Sequence, residues 1–364
     1  MYIHERKNWP DFTWDHAAIT TLLSDARHTQ GRLLGKMEGL GFQMREEATL
    51  ATLTQDVIKT SEIEGQKLDT QQVRSSIARR MGIEIAALPQ VDRNVEGIVE
   101  VMLDATRHHQ MLLDQDRLFG WHAALFPTGR SGMQKITVGG WRTDASGPMQ
   151  VVSGAYGREK VHYEAPRHER LNAEMTRFLA WLNAGPATDP VLTSALAHFW
   201  FVTIHPFDDG NGRIARAIAD MILARSENSA QRFYSMSAQI QRDRNAYYDI
   251  LEASQRGDLN ITAWLEWYLA CLRRAINSSH EILDAVLTKA NFWKRQEGGK
   301  FNDRQRNLIN RLLDGFDGKL TSSKWAKIAK CSPDTALRDI TDLMDRNILA
   351  KDDAGGRSTG YHLK

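Results

Sequence analysis

Apolar residues recur every three or four positions along most of the chain, the spacing that turns one face of an α-helix toward a core. Over residues 15–40, Ala18, Leu22, Leu33 and Leu34 follow it, and Gly39 and Gly41 close the run. From Glu46, the positions Leu50, Leu53 and Val57 predict a second helix that stops at Gly65, directly after Glu64. More helices are predicted over 69–86, 92–111, 114–126, 167–183 and 190–204, with Leu88-Pro89 separating 69–86 from 92–111. The pattern changes over 136–166, where glycines and β-formers dominate. There Val151-Val152 and Val161-His162-Tyr163 flank a glycine-containing turn and predict a hairpin embedded in a helical protein. Helical spacing returns over 213–225, 242–255 and 259–290. The polar stretch 291–306, with Gly298-Gly299, reads as a linker. Beyond it, helices over 303–314, 322–330 and 332–347, then two short strands around a glycine-rich turn, predict a winged helix. The expected fold class is mainly α, divided as an N-terminal helical region 1–99, a core 100–290, the linker 291–306 and a winged helix 307–364.

Composition narrows the function classes. A chain of 364 residues exceeds one ordinary core and suggests two or three domains. The formal net charge is only +2, so any affinity for phosphates must come from a local site. No apolar run is long enough for an ordinary membrane-spanning helix, so no membrane partner is expected. The opening MYIHERKNWPDFTWDH has no apolar core of a signal peptide, and a cytoplasmic protein is expected. Cys271 and Cys331 lie in different predicted helical regions and fit two separate reduced thiols.

The densest chemistry lies at 205–216, HPFDDGNGRIAR. The apolar run 195–204 delivers His205 at a helix end, because Pro206 cannot continue the helix and Phe207 can anchor the loop in the core. In Asp208-Asp209-Gly210-Asn211-Gly212 the glycines permit the backbone to turn several N–H groups inward. The next helix points its positive end at that nest, which makes an anion site. Arg213 and Arg216 share one face of its first turn, and each planar fork can hold a phosphate oxygen. Asp209 beside phosphates calls for a cation, and Mg²⁺ suits one carboxylate plus phosphate oxygens. An imidazole titrates near neutrality, so His205 suits a general base acting on a hydroxyl. A Gly-Asn-Gly turn alone needs no ligand. Base, carboxylate, nest and arginines together describe nucleotide-dependent transfer, and the Walker pattern GxxxxGK[ST] is absent.

This segment resembles the signature of the Fic family, HxFx[DE]GNGRxxR, at every specified position. The resemblance extends over about 100–290, through Gly139-Gly140-Trp141-Arg142, the hairpin and the stretch from Ser235 to Trp267. Members generally transfer AMP from ATP to a protein Ser, Thr or Tyr hydroxyl and release pyrophosphate. The resemblance therefore implies His205 as base, Asp209 as Mg²⁺ ligand, Asn211 with the Gly210–Gly212 backbone around the α-phosphate, and Arg213 and Arg216 on the β- and γ-phosphates. Relatives that act as kinases carry lysine where this chain has Gly212, so adenylyl transfer is the activity implied, with self-modification included. UTP in place of ATP stays open, because the motif reads phosphates rather than bases.

A second resemblance concerns TSEIEG, 60–65, which is similar to the family's inhibitory motif [ST]xxxE[GN]. Thr60 and Glu64 are four apart and share a helix face. The resemblance implies that Glu64 pairs with Arg216 and blocks placement of the γ-phosphate. In some relatives the same glutamate assists AMP removal, and that reverse activity is a competing reading. Residues 150–163 resemble the family's flap, whose strand edge, here Val151, Val152 and Ser153, aligns a target segment by main-chain hydrogen bonds. Tyr247 and Tyr248 are candidates to wall an adenine pocket, although adjacent positions on a helix diverge and at most one is expected there. The first 45 or so residues look like the N-terminal domain that accompanies many bacterial Fic proteins. The second competing reading is a DNA-binding regulator with an idle, ATP-sensing core. Residues 301–364 hold 12 Lys+Arg against 9 Asp+Glu, a small excess, and the last predicted helix carries Asp334, Asp339, Asp342 and Asp345. A protein-binding or homodimer-packing module is favoured over DNA for this region.

Overall fold

The stretch from Val191 to Ile204 is buried at every position, and this fixes the architecture around it. A helix that is apolar all round must be wrapped by other elements. It forms α7 (Pro190–Ile204), started by Asp189, whose side chain accepts from the Val191 N–H, with Pro190 in the first turn. In the computed structural model, which describes residues 1–83, 91–145, 147–154, 158–185, 188–316, 318–352 and 359–364 without the Gln43 side chain, the chain folds into two compact units that divide inside one long helix at His280/Glu281.

In the first unit α7 packs against α8 (Asn211–Glu227) and α6 (His168–Asn183). Its aromatic positions meet rings from several elements: Trp200 lies edge-on to Trp9 and Phe178, and Phe199 lies 5.5 Å from Trp264 of α11 (Thr262–Arg295). The Trp264 indole N–H donates to the Ala195 carbonyl at 2.9 Å. Outside this centre sit α1 (His16–Glu38), α2 (Phe42–Ile63), α3 (Thr70–Met81), α4 (Arg93–Arg107) and α5 (Gln115–Leu125). Helix α2 rests mainly on α9 (Met236–Arg242) and α3, and α10 (Arg244–Gln255) follows α9 after a single residue. The sequence predicted one helix over 242–255 and left 236–241 unassigned; Ser235 caps α9 by accepting from the Ala238 N–H.

Two small antiparallel hairpins interrupt the helices. The first, β1 (Arg130–Ser131) with β2 (Gln134–Lys135), was not foreseen. The second, β3 (Gln150–Ser153) with β4 (Lys160–Glu164), is the expected one. Its turn at 155–157, the Leu88-Pro89 break and the C-terminal glycine-rich turn at 353–358 lie outside the described residues.

The second unit begins at Glu281, ahead of the linker expected at 291–306. Helix α11 runs on to Arg295, and Phe292 is buried with Leu308, Trp325 and Ile340. Residues 291–295 are therefore core-bearing helix, and Gly298 and Gly299 break only the short turn behind them, where Gly298 has φ +85°. Then come α12 (Asp303–Leu313), α13 (Ser322–Ala329), α14 (Pro333–Asp345) and the hairpin β5 (Leu349–Lys351)–β6 (Tyr361–Leu363), with Leu320 bridged to Tyr361. Asp339 of α14 points inward, accepting from Arg304 at 2.8 Å and Asn302 at 2.9 Å, so one of the four acids of that helix is neutralised inside the unit. No helix among the described residues is long and apolar enough to cross a membrane.

Helices α4 and α5 touch where Gly97 has no side chain: a Cβ there would stand 1.8 Å from the Ala124 carbonyl oxygen. Gly97→Ala should lower stability by about 1–3 kcal/mol, the usual cost of forcing atoms into a filled core. Urea unfolding followed by circular dichroism reads this, and an unchanged midpoint would contradict the close crossing.

Candidate active site

The site is the corner between α7 and α8. His205 ends α7 in the left-handed region (φ +53°, ψ +59°), with its N–H on the Phe201 carbonyl. The turn aims its ring into a cavity of about 580 Å³ lined also by Glu64, Gly212, Val152 and Tyr248. The His205 Nδ1 lies 3.1 Å from the Val202 carbonyl, which can only accept, so Nδ1 carries the proton and Nε2 keeps a lone pair. Burial depresses the His205 pKa to about 4, against the pull of the Val202 carbonyl, and the ring is neutral at pH 7. A neutral imidazole with a free Nε2 can take a proton.

The loop between the helices is stapled from three sides. Asn211 is buried and closes the loop on itself: its Oδ1 accepts the Phe207 N–H at 2.9 Å and its Nδ2 donates to the Phe207 carbonyl at 2.8 Å. The sequence reading gave Asn211 to the phosphate; its amide instead holds the backbone that forms the nest. Gly210 (φ +84°) caps α8 in a conformation that a side chain rarely adopts, against the Phe126 ring. Asp208 accepts the Thr137 N–H at 2.8 Å, while Asp209 accepts from the Ser131 hydroxyl and the Gly210 N–H.

Two stapling residues were given no role from the sequence. Arg142, 1% exposed, donates through Nε to the His205 carbonyl at 2.8 Å and through Nη2 to the Pro166 carbonyl, and its own N–H reaches the Pro206 carbonyl at 2.9 Å. Asp144 pairs with its Nη1 at 2.7 Å. His122 stacks on Phe207 at 4.2 Å, takes the Gly139 N–H on Nδ1, and donates from Nε2 to the Asp209 carbonyl at 3.2 Å. A Trp-Arg pair and a histidine in an apolar helix were the available signals, but neither says that its partners are carbonyls of a distant loop.

At the start of α8 the arginines are buried with donors to spare. Arg213 packs 4.9 Å over Phe126, donates to Gln66 at 3.2 Å, and has a buried Nε without a partner in the structure. Arg216, 2% exposed, donates through Nε to the Thr60 hydroxyl at 2.7 Å and through Nη2 to Glu64 Oε1 at 2.7 Å and the Thr60 carbonyl. Its Nη1 is unpartnered. Burial opposes the Arg216 cation, yet the Glu64 carboxylate beside it raises its pKa above the ordinary value. Glu64 is held there by the end of α2, where the Gln66 N–H reaches the Ser61 carbonyl at 2.9 Å and Gly65 takes φ +79°. Gly212 leaves the room: a Cβ there would sit 2.3 Å from Glu64 Oε1. Orphaned buried guanidinium donors around a cradle without side chains fit an anion with several oxygens. No group of three or more metal-ligating side chains occurs among the described residues; Asp208 and Asp209 are the carboxylates of the loop that line the cavity.

The tyrosines separate as their adjacency requires. Tyr247 is core, its hydroxyl 2.9 Å from His198 Nε2 beside Trp264 and Trp267. Tyr248 is 37% exposed at the cavity under the guanidinium of Arg244. The β3–β4 hairpin lines the same cavity. Arg256 donates to the Val161 and His162 carbonyls of β4, so β3 with Val151, Val152 and Ser153 carries the uncovered edge.

Residues 112–223 match the model of the Fic/DOC family, and residues 2–83 match a domain of unknown function, DUF4172. Within this chain, residues 112–223 thus form a Fic/DOC family domain. A protein adenylyltransferase Fic of Culex quinquefasciatus is 32% identical over 132 residues, 35% of this chain and 25% of the relative. One of Nematostella vectensis is 35% identical over 115 residues, 31% of this chain and 25% of the relative. The matched part thus spans about a quarter of these curated relatives. Among solved structures, a Fic family protein from Desulfovibrio desulfuricans G20 aligns over 98% of both chains with a TM-score of 0.55 at 21% identity. A Fic domain containing signaling protein from Bacteroides thetaiotaomicron gives 0.50 at 17% identity, covering 73% of this chain and 98% of that one. At those identities the likeness is one of fold.

Burial lowers the pKa of His122 to about 4, from an ordinary value of 6.5. Below pH 6.5 the unfolded chain takes up a proton that the native ring refuses until about pH 4, so this histidine costs stability progressively as pH falls through that window. His122→Phe should therefore give a shallower fall in unfolding free energy between pH 6.5 and 4 than the unsubstituted protein, measured by denaturant titration at each pH. Parallel curves would contradict a neutral, buried His122.

Proposed function

We propose that the protein is an adenylyltransferase that moves AMP from ATP to a Ser, Thr or Tyr hydroxyl of a protein, and that Glu64 restrains it. The observation that carries this reading is one cavity lined by a neutral His205 with a free Nε2, by Gly210–Gly212 at the α8 N-terminus and by the open strand edge, with the unpartnered Nη1 of Arg216 beside Gly212. In the proposed reaction the target segment lies along β3, His205 removes the hydroxyl proton, and the oxygen attacks the α-phosphorus. Diphosphate leaves toward the α8 N-terminus, where Arg213 and Arg216 stabilise its charge. Asp209 would hold a magnesium ion against the phosphates, where the ion neutralises charge. In this reading Tyr248, exposed at the cavity, faces the base, while Tyr247, which lines the same cavity, is buried with its hydroxyl on His198.

The restraint follows from competition. Glu64 occupies Arg216 Nη2 at 2.7 Å, a donor the outermost phosphate needs in this reading. The names of the relatives and the residue-by-residue match of 205–216 support adenylyl transfer over other phosphate chemistry.

The test uses ATP labelled at the α-phosphate, Mg²⁺ and a cell lysate, and follows label on proteins other than this chain. Glu64→Gly should raise that label at least tenfold, and adding His205→Ala should lower it by the 10²–10⁴-fold typical of a lost general base. A folded Glu64→Gly protein that binds ATP yet labels nothing would overturn the assignment.

A further inference from the structure

A second cavity, of about 400 Å³, shares none of its described residues with the one that holds His205. Its walls are aromatic. Phe12 and Trp14 come from the segment ahead of α1, Trp181 from the end of α6, and Leu196 and Trp200 from α7. The rings do not stack. Phe12 stands edge-on to Trp200 at 84°, and Trp181 is tilted 51° against Trp200 with centroids 5.1 Å apart. Flat faces crossing at such angles leave a notch, at which Phe12, Trp14 and Trp181 are only part-buried. Bonds behind the notch fix its shape. The Trp9 indole N–H donates to Glu174 Oε2 at 2.9 Å, and Arg177 Nη1 donates to the Trp9 carbonyl at 2.7 Å. Thr13 donates its N–H to the Leu259 carbonyl at 2.8 Å and accepts the Ile261 N–H at 2.9 Å. A site shaped in advance costs a ligand little ordering.

Two features indicate what the notch takes. Trp200 lines it at 3% exposure, and the indole N–H of that ring is buried without an acceptor in the structure. An unpaired buried donor is costly, so a matching occupant brings a carbonyl or similar acceptor. The notch is also balanced in charge, because Arg177 and Asp11, which both line it, pair with each other at 3.4 Å. Aromatic walls alone suit a cation, but here a cation would meet Arg177 and leave the Trp200 N–H unmatched. A sugar needs several convergent polar groups, and the Thr188 hydroxyl already lies 3.1 Å from that of Thr193. An ordinary peptide would bury a backbone N–H per residue against apolar rings. Proline has no backbone N–H, offers an apolar ring and carries a carbonyl. Proline-rich segments are also extended before they bind, and aromatic-lined grooves recognise them in that form.

We propose that this notch docks a proline-rich segment of a partner protein, with a proline ring among Phe12, Trp14 and Trp181 and a peptide carbonyl accepting from Trp200 Nε1. The site joins the N-terminal domain of unknown function to α6 and α7 and gives that domain a binding role separate from the chemistry at His205. Docking here needs no nucleotide and no transfer of AMP.

Fluorescein-labelled decaproline titrated with the full chain tests this by fluorescence anisotropy. A saturable rise is expected, reversed by unlabelled decaproline and unaffected by a Gly-Ser peptide of equal length or by tetramethylammonium. Trp14→Ala and Trp181→Ala should each weaken binding about tenfold or more, as loss of an aromatic anchor does. Trp200→Phe keeps a flat ring and removes the N–H alone; it should weaken binding about three- to tenfold, the worth of one hydrogen bond. Circular dichroism melting curves show which variants fold, and part-buried Trp14 carries the test if Trp200→Phe does not fold. No saturable rise up to about 0.5 mM protein overturns the proposal. So does an equal rise with the Gly-Ser peptide, displacement by tetramethylammonium, or binding that Trp14→Ala and Trp181→Ala leave unchanged.

Discussion

A buried guanidinium has to be matched by an anion, and Arg216 is the point on which this site turns. It lies under α2, 2% exposed, and its cation is stable there because Glu64 stands 2.7 Å away. The bond joins helix ends that are 152 residues apart in sequence. It requires the capped end of α2 to hold Glu64 in place, the two Thr60 contacts to orient the fork, and a glycine at 212 to leave space. The same demand explains the proposed chemistry. In the proposed reaction a triphosphate would bring the anion that Arg216 needs, so carboxylate and phosphate would compete for one cation, and the nucleotide would have to displace a carboxylate that belongs to the chain.

The rest of the corner is built to stay still while that exchange happens. Arg142 holds the carbonyl of His205, Asn211 closes both backbone groups of Phe207, and His122 holds the carbonyl of Asp209. These are bonds to backbone, so they fix the path of the loop and leave the His205 Nε2 and the α8 N-terminus clear. Preorganised donors of this kind need no rearrangement when charge develops. Mobility, if the reaction needs it, is left to the carboxylate of Glu64, which is 29% exposed where Arg216 is not.

Much of this was legible because the chemistry is consecutive. Residues 205–216 set the proposed base, anchor, carboxylate, nest and arginines in order, between the apolar run of α7 and the amphipathic α8. Helix α7 spans the expected 190–204 and stops short of Pro206. Glu64 was legible only through a resemblance, since nothing within α2 says that its partner lies on α8. Arg142 and His122 were invisible as site residues because they act on carbonyls, which every residue carries. The linker was misplaced because polar residues around Gly-Gly outweighed Phe292 and Trp293, which face the core of the second unit.

The most direct measurement of the central competition is the thermal shift that Mg²⁺·ATP gives the unsubstituted protein and Glu64→Gly at one nucleotide concentration. A ligand that binds only the native state raises the melting temperature in step with its affinity. If Glu64 and the nucleotide contend for Arg216, the glycine variant should melt lower than the unsubstituted protein without ligand and gain distinctly more from ATP. Equal gains in the two proteins would contradict the account, because they would show that the carboxylate and the phosphates do not meet at the same guanidinium.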